Sequence, residues 1–482
     1  MPRIRGTFLK NWFALSFSDL AGQVLSFFAM FRVARHLAPE GYGVFTLITA
    51  TASLFALFGF VGLSQVVIVE VAKNKNAGRP TLKAALRVRA LSVPLVLAAL
   101  TFYYLVVKHE ASSFVLLLTA VLVTNLNLAD LFESVAFGRQ VMKYTSVLNL
   151  SNSLAWVAGL YLIPLQHLTV EVILLYSVCL QVLRTVLYYL IERRNRFFDV
   201  VPDAPHVATR TLLRAGLPYY WMSLVSGALV QLPVILLGTY SGNAEVGLYN
   251  AGYRLVMPLS LVLNGMSRVM FPKLVEVRKI SPQAFSGLVY SFLSLLVFVG
   301  AALALGITAV SREVVLFTVG SAYAAAVPSF VNQIWFLYVY SMLTVIGITL
   351  AALEQQRFLA ILATIASLAS LPFIYFGAHR GATGLSGVVL AFYPLSLAFH
   401  FWALEKVLAA RMRPLLVLRN AMLILAGFLL SRLLLAIDPL GPRVAMAIAF
   451  VLGAVPFYRT DIGVFWNRLT EPQGLAVIKA GQ

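Results

Sequence analysis

The chain has 482 residues, 60% of them hydrophobic and only 11% charged, with a mean hydropathy of +0.88. That composition excludes a soluble globular protein, because the apolar runs are too many and too long for buried core helices. The formal net charge of +19 sits between apolar runs without aromatic interleaving, so a membrane accounts for it better than a nucleic-acid partner does.

Fourteen apolar spans are predicted, at 11–33, 43–70, 85–107, 113–137, 144–163, 170–191, 214–238, 247–271, 285–309, 326–352, 358–377, 382–404, 416–436 and 442–458. After Arg3, Arg5 and Lys10 the first run continues to about Val33, so no cleavable signal is expected. Charge alternation then orients the chain. The clusters Lys73–Arg89, Arg193–Arg214, Lys273–Lys279 and Lys406–Arg419 fall on the same side as the N-terminus. The other side holds only Arg32, Arg35, Lys108, Arg312, Arg380 and Arg443, so both termini are expected in the cytoplasm. Cys179 is the lone cysteine, and no metal or cofactor is expected.

The only sizeable hydrophilic connection, 192–213, separates an N-terminal six-helix lobe (1–191) from a C-terminal one (214–404). A terminal helix pair and cytoplasmic tail follow at 405–482. Leu37-Ala-Pro-Glu-Gly-Tyr-Gly-Val-Phe45 follows the first span and Gly242-Asn-Ala-Glu-Val-Gly-Leu-Tyr249 follows the seventh. The shared pattern marks parallel repeats. The expected architecture is therefore an all-α polytopic membrane protein with two six-helix repeat lobes and a terminal pair.

The eighth span carries the most informative face. Asn250, Arg254, Met257, Leu261, Asn264 and Arg268 recur every three or four residues, which is one side of a helix. Lipid does not tolerate two arginines and two asparagines on one face, so this side is expected to line an anion-accepting chamber. Pro258 is expected to bend the helix, and Val256 to face lipid. The alternative for Arg268 is snorkelling to the interface. Other polar faces are Ser16, Asp19, Gln23 and Ser26 in the first span, Tyr220, Ser223, Gly227 and Gln231 in the seventh, and Gln333, Tyr340, Thr344 and Gly347 in the tenth. For the neutral residues, helix packing is the competing reading. Asp19 and Asp130 are candidates for ion coupling, since a membrane carboxylate is costly unless paired or titrating. Arg184 is a further chamber candidate, Glu133 is expected to be solvated, Arg432 structural, and Arg32 among outer headgroups.

Arg35-His-Leu-Ala-Pro-Glu-Gly-Tyr-Gly43, Glu245-Val-Gly-Leu-Tyr249 and Leu316-Phe-Thr-Val-Gly-Ser-Ala-Tyr323 resemble polysaccharide (O-antigen type) flippases. These belong to the multidrug/oligosaccharidyl-lipid/polysaccharide exporter superfamily. The resemblance implies two six-helix bundles around a central lumen, working by alternating access. It also implies a bacterial cytoplasmic membrane and an undecaprenyl-pyrophosphate-linked oligosaccharide as substrate. A proton or sodium ion and the polysaccharide polymerase machinery are the further partners it suggests. A lipid II flippase or a multidrug/cation exporter of the same superfamily are the alternatives. An enzyme is disfavoured, because no P-loop, zinc-ligand spacing or nucleophile motif is found.

The orientation is testable by labelling. With Cys179→Ser as background, a cysteine at Gln166 is expected to react with a membrane-impermeant maleimide in intact cells, and one at Asn195 is not. The reverse pattern would overturn the assigned sidedness.

Overall fold

The computed structural model describes residues 2–60, 62–74, 77–107, 112–139, 141–194, 209–408, 412 and 414–470. Side chains are described within these except at 2–17, 19, 127, 142, 261–262, 264–265, 268–269 and 467–470. Among the described residues every regular element is helical, as lipid demands when backbone groups must bond within their own segment.

The first unit, Met1–Gly247, begins with α1 (Pro2–Leu57), which joins the first two expected spans across one kink. At the kink Ala38 adopts φ 55°, ψ 178°, immediately before Pro39. Proline bars its predecessor from the helical region, so the sequence explains why the helix breaks there. A non-glycine residue in that conformation costs about 1–3 kcal/mol. The expected 34–42 loop is thus a kink. The second expected span instead breaks at 58–62, where Phe60 has φ 58°, before α2 (Leu63–Lys73). Then follow α3 (Gly78–Phe102), extended by a π-helical turn at Tyr103–Val107, α4 (Ser113–Gly138), α5 (Met142–Leu162), α6 (Val170–Arg194) and α7 (Thr209–Tyr240). Leu63, Val67 and Val71 of α2, Ala85 of α3, Leu131 and Val135 of α4 and Leu212 of α7 form a buried cluster.

α8 (Asn243–Arg278) carries the chain into the second unit, Leu248–Gln482. These packing units differ from the repeat limits drawn at 191 and 214, which concern span orientation rather than contact. The second unit continues with α9 (Pro282–Ala309), the short α10 (Ser311–Thr318), α11 (Val327–Ala352), α12 (Gln356–Ala378), α13 (Gly381–Leu408), α14 (Pro414–Ala436) and α15 (Leu440–Thr470). α10 and the 3-10 turn Ser321–Ala326 were not expected as helices. α11 packs on α13 and α9, with Phe330, Trp335 and Tyr338 fully buried.

The other long helices match the expected spans in position. Among the described residues, eleven helices are long and apolar enough to cross a membrane, with α1 counted once across its kink. α5 falls short on hydropathy, since Asn149, Asn152 and three serines dilute it.

The terminal pair is held to α9–α11 by polar side chains. Asn420 of α14 donates to Ser294 Oγ (3.3 Å) and accepts from Tyr458 OH (2.8 Å). Arg432 donates to Asn332 Oδ1 and lies over the Phe428 ring, which bears out its structural reading. Arg443, expected in an outer loop, is buried at 3% exposure and pairs with Glu313 of α10. Arg32, expected among outer headgroups, donates to the Ile163 carbonyl (3.1 Å) and lies over Tyr161.

Removing Glu313 strands a buried guanidinium, whereas Glu70 pairs with Lys73 (2.9 Å) on the surface. Glu313→Ala is therefore expected to destabilise the detergent-solubilised protein by roughly 2 kcal/mol, discounted because Glu313 is itself partly exposed. Glu70→Ala should cost less than about 0.5 kcal/mol. Thermal unfolding of both variants checks the contrast, and equal midpoints would contradict it.

Candidate functional site

Two polar centres stand out, one in each unit. In the second unit, Asn250 of the α8 face is buried, while Arg254 and Met257 are exposed. Among the described residues no carboxylate pairs with Arg254. Its electrostatic neighbour is Tyr253, which in turn interacts with Tyr340 of α11. Tyr393 of α13 and Tyr249 of α8 join the same group. Phe336 and Tyr393 meet edge to face at 4.6 Å and 82°, with Tyr340 5.9 Å from Tyr393.

Close helix packing builds this wall. Gln333 donates to the Tyr249 carbonyl (2.9 Å) and is buried, which moves it from the polar-face reading to packing. Thr344 bonds back to Tyr340 O of its own helix (3.3 Å). A cation beside one member of a tyrosine group suits a ligand that combines anionic charge with hydroxyls and C–H faces. Sequence reasoning found Arg254 and Tyr340 but missed Tyr253 and Tyr393 as their companions, because helix spacing within one span cannot show which spans become neighbours. Val256, expected to face lipid, is 4% exposed and buried. The side chains of Asn264 and Arg268 lie outside the described residues.

In the first unit a chain of charges runs through the helix bundle. Arg89 of α3, 1% exposed, donates to Asp130 Oδ2 of α4 (3.0 Å) and to Ser64 Oγ of α2 (3.0 Å). Ser64 itself donates to the same Asp130 oxygen. One turn along α4, Glu133 pairs with Arg184 of α6 (3.2 Å), whose guanidinium also lies over Tyr188. Glu133 is thus not solvated as expected; its side chain is 20% exposed. Glu192, near the end of α6, buries both carboxylate oxygens without a hydrogen bond, and Arg139 acts on it electrostatically.

Of the sequence-derived candidates, the structure therefore gives Asp130 and Arg184 protein partners. Tyr220 is half-buried and stacks on Phe60 (4.7 Å), and Gln231 is half-buried on α7. Asp19 lies in α1, with its side chain outside the described residues. Arg89 was missed because the third span was drawn from residue 85 and its basic residues were assigned to the preceding connection. α3 instead begins at Gly78 and carries Arg89 three turns in.

The all-helical architecture is similar to that of several solved membrane transporters. Structural similarity covers 80% of this chain and 94% of a multidrug resistance MATE family transporter in an inward-facing conformation, with TM-score 0.66 and 13% identity. It covers 93% of this chain and 99% of the lipid II flippase MurJ in an inward closed conformation, with TM-score 0.64 and 15% identity. A MOP superfamily transporter from Pyrococcus furiosus, described with a binding pocket of reversed polarity, matches 83% of this chain and 93% of its own, with TM-score 0.51 and 15% identity. These likenesses define the fold. The family follows from sequence: the polysaccharide biosynthesis protein model matches residues 8–278, and the chain belongs to that family. No curated protein sequence matches the chain.

The Arg89–Asp130 pair yields a stability test. Asp130→Ala leaves a buried guanidinium without its carboxylate and is expected to cost about 2–4 kcal/mol. The double variant Arg89→Met/Asp130→Leu should recover most of that loss. Thermal unfolding of purified protein decides. A double variant as unstable as the single one would show that the pair is not the unit of stability.

Proposed function

We propose that the protein flips an undecaprenyl-pyrophosphate-linked oligosaccharide from the inner to the outer leaflet of a bacterial cytoplasmic membrane. Its role would be in O-antigen or related lipopolysaccharide and surface-polysaccharide biosynthesis. The observation that carries this reading is Arg254: a membrane-helix cation with no carboxylate partner among the described residues, beside Tyr253, which itself interacts with Tyr340 and Tyr393. A cation at membrane depth needs a compensating anion, and a diphosphate supplies one when substrate binds. The tyrosines would offer hydroxyls and ring faces to the adjoining sugars. Family membership over 8–278 supports the polysaccharide pathway.

In this proposal the two six-span repeats 1–191 and 214–404 alternate access, both termini are cytoplasmic, and Asn250, Asn264, Arg268, Gln231 and Tyr220 complete the substrate path. A proton or sodium gradient drives the cycle through Asp19 or Asp130, with no reaction catalysed by the chain. Asp130→Asn, which keeps the shape of the Arg89 pair, would then weaken ion dependence. Lipid II transport is the second reading, favoured by the near-complete overlap with a lipid II flippase.

The test is flipping in proteoliposomes with an undecaprenyl-pyrophosphate oligosaccharide or lipid II as cargo. Arg254→Ala is expected to reduce oligosaccharide flipping by about two orders of magnitude at normal membrane abundance, and Arg254→Lys by about one, because lysine keeps the charge but not the bidentate fork. Leu425→Ala, on an outward apolar position, is the control. Transport of lipid II in preference to the oligosaccharide would transfer the assignment to the second reading. Undiminished flipping by Arg254→Ala would remove the arginine from the substrate path.

A further inference from the structure

Several cations at one end of the first unit have no partner within the protein. On α3, Lys83 and Arg87 are exposed one turn apart, with Arg79 half-buried a turn before them. α7 packs against α3 here, and its Leu212 is buried in one cluster with Leu82, Ala85 and Val88. That cluster sets Arg210 and Arg214, exposed two residues to either side of Leu212, at the depth of Lys83 and Arg87. None of these five cations makes an ion pair or a hydrogen bond among the described residues. Cations on the same expected side of the second unit differ. Lys273 is held by Glu276 (3.3 Å), Arg278 by Glu354 (3.0 Å) and Arg419 by Asp461.

Depth sets what the unpaired cations meet. From Arg87 to the end of the π-helical turn at Val107, α3 runs about 30 Å, which is one hydrocarbon thickness. Arg87 therefore lies at the level of lipid phosphates, with Lys83 and Arg79 beyond it. Past Arg87 the exposed face of α3 turns apolar. Leu91 and Leu95 follow at intervals of four and are 79% and 75% exposed. A cationic turn leading into an open apolar face complements an anionic headgroup that carries acyl chains. The exposed positions there, Ala90, Leu91 and Leu95, offer no hydroxyl, amide or aromatic group to a glycan.

We propose that Lys83 and Arg87 of α3, with Arg210 and Arg214 of α7, form a binding site for an anionic phospholipid of the surrounding leaflet. The phosphate oxygens accept hydrogen bonds from these side chains, and an acyl chain lies along Leu91 and Leu95. This lipid is a bound partner, not cargo. Cations that only snorkel to water would show no preference between phospholipid headgroups.

The test is thermal unfolding of the full-length protein in a non-ionic detergent, titrated with phosphatidylglycerol or with phosphatidylcholine. A ligand that binds the folded state alone raises the midpoint by mass action. Phosphatidylglycerol is expected to raise it, whereas phosphatidylcholine and inorganic phosphate are not. In Lys83→Ala/Arg87→Ala the apparent Kd for phosphatidylglycerol should rise about thirtyfold, since each surface cation contributes roughly fivefold in affinity. Arg312→Ala removes an exposed cation already paired with Asp438 and should leave that Kd unchanged. Equal midpoint gains with the two phospholipids, or a Kd in the double variant within about threefold of the parent, would overturn the proposal. So would a gain from inorganic phosphate alone, or displacement of phosphatidylglycerol by an equal concentration of polyprenyl-diphosphate oligosaccharide, which would make this a substrate site. If the α3 variant fails to fold, Arg210→Ala/Arg214→Ala decides by the same measure. The titration involves no transport, so it is judged apart from the cargo proposed above.

Discussion

Charge in a bilayer must be compensated inside the protein, and most of the tertiary structure follows from that constraint. An unpaired arginine at membrane depth is costly by several kcal/mol. Breaking a buried pair by removing one partner costs roughly 3–5 kcal/mol. The helices accordingly join where cations find acceptors: Arg89 on Asp130, Arg184 on Glu133, Arg443 on Glu313, Arg419 on Asp461 and Arg432 on the Asn332 amide. Hydrophobic attraction between helices is weak when the solvent is hydrocarbon, so these polar joints and close small-residue contacts specify which helices become neighbours. Against that background Arg254 is a spanning-helix arginine with neither an ion pair nor a hydrogen bond among the described residues, which is why it anchors the functional reading.

The two kinds of joint do different physical work. Ion pairs with buried guanidinium groups resist separation, and they concentrate within each bundle and between the terminal pair and α9–α11. Glycine-to-backbone approaches leave no void and need no rotamer change, so they suit surfaces that meet and part. At Gly43 and Gly247 each glycine lies against the other segment's backbone. A protein that changes conformation needs both, since a structure made of charged joints alone would resist movement and one of glycine contacts alone would not hold its bundles.

Much of the fold was legible because the bilayer is a simple solvent. A ~30 Å hydrocarbon layer asks for about 20 apolar residues per helix, and the expected spans find their helices within a few residues along most of the chain. The departures have local causes. Around residues 34–42 the sequence looked like a loop, yet a proline bend sufficed to turn the chain. At 58–62 an apolar run concealed a break, because hydropathy is blind to backbone conformation. Glu133 and Arg443 were placed at the interface from their distance to span ends, but their partners, Arg184 and Glu313, come from distant helices.

What the sequence by itself determined is the helical membrane class, the span positions, the repeat motifs and the polar face of α8, since each depends on residues a few positions apart. Only the tertiary structure decided that Asp130 belongs with Arg89, that Tyr253 beside Arg254 meets Tyr340 and Tyr393, and that the two repeat glycines fit against each other's backbone. Those relations join residues tens to hundreds of positions apart. Helical periodicity names the face a side chain occupies, and packing alone supplies what lies opposite it.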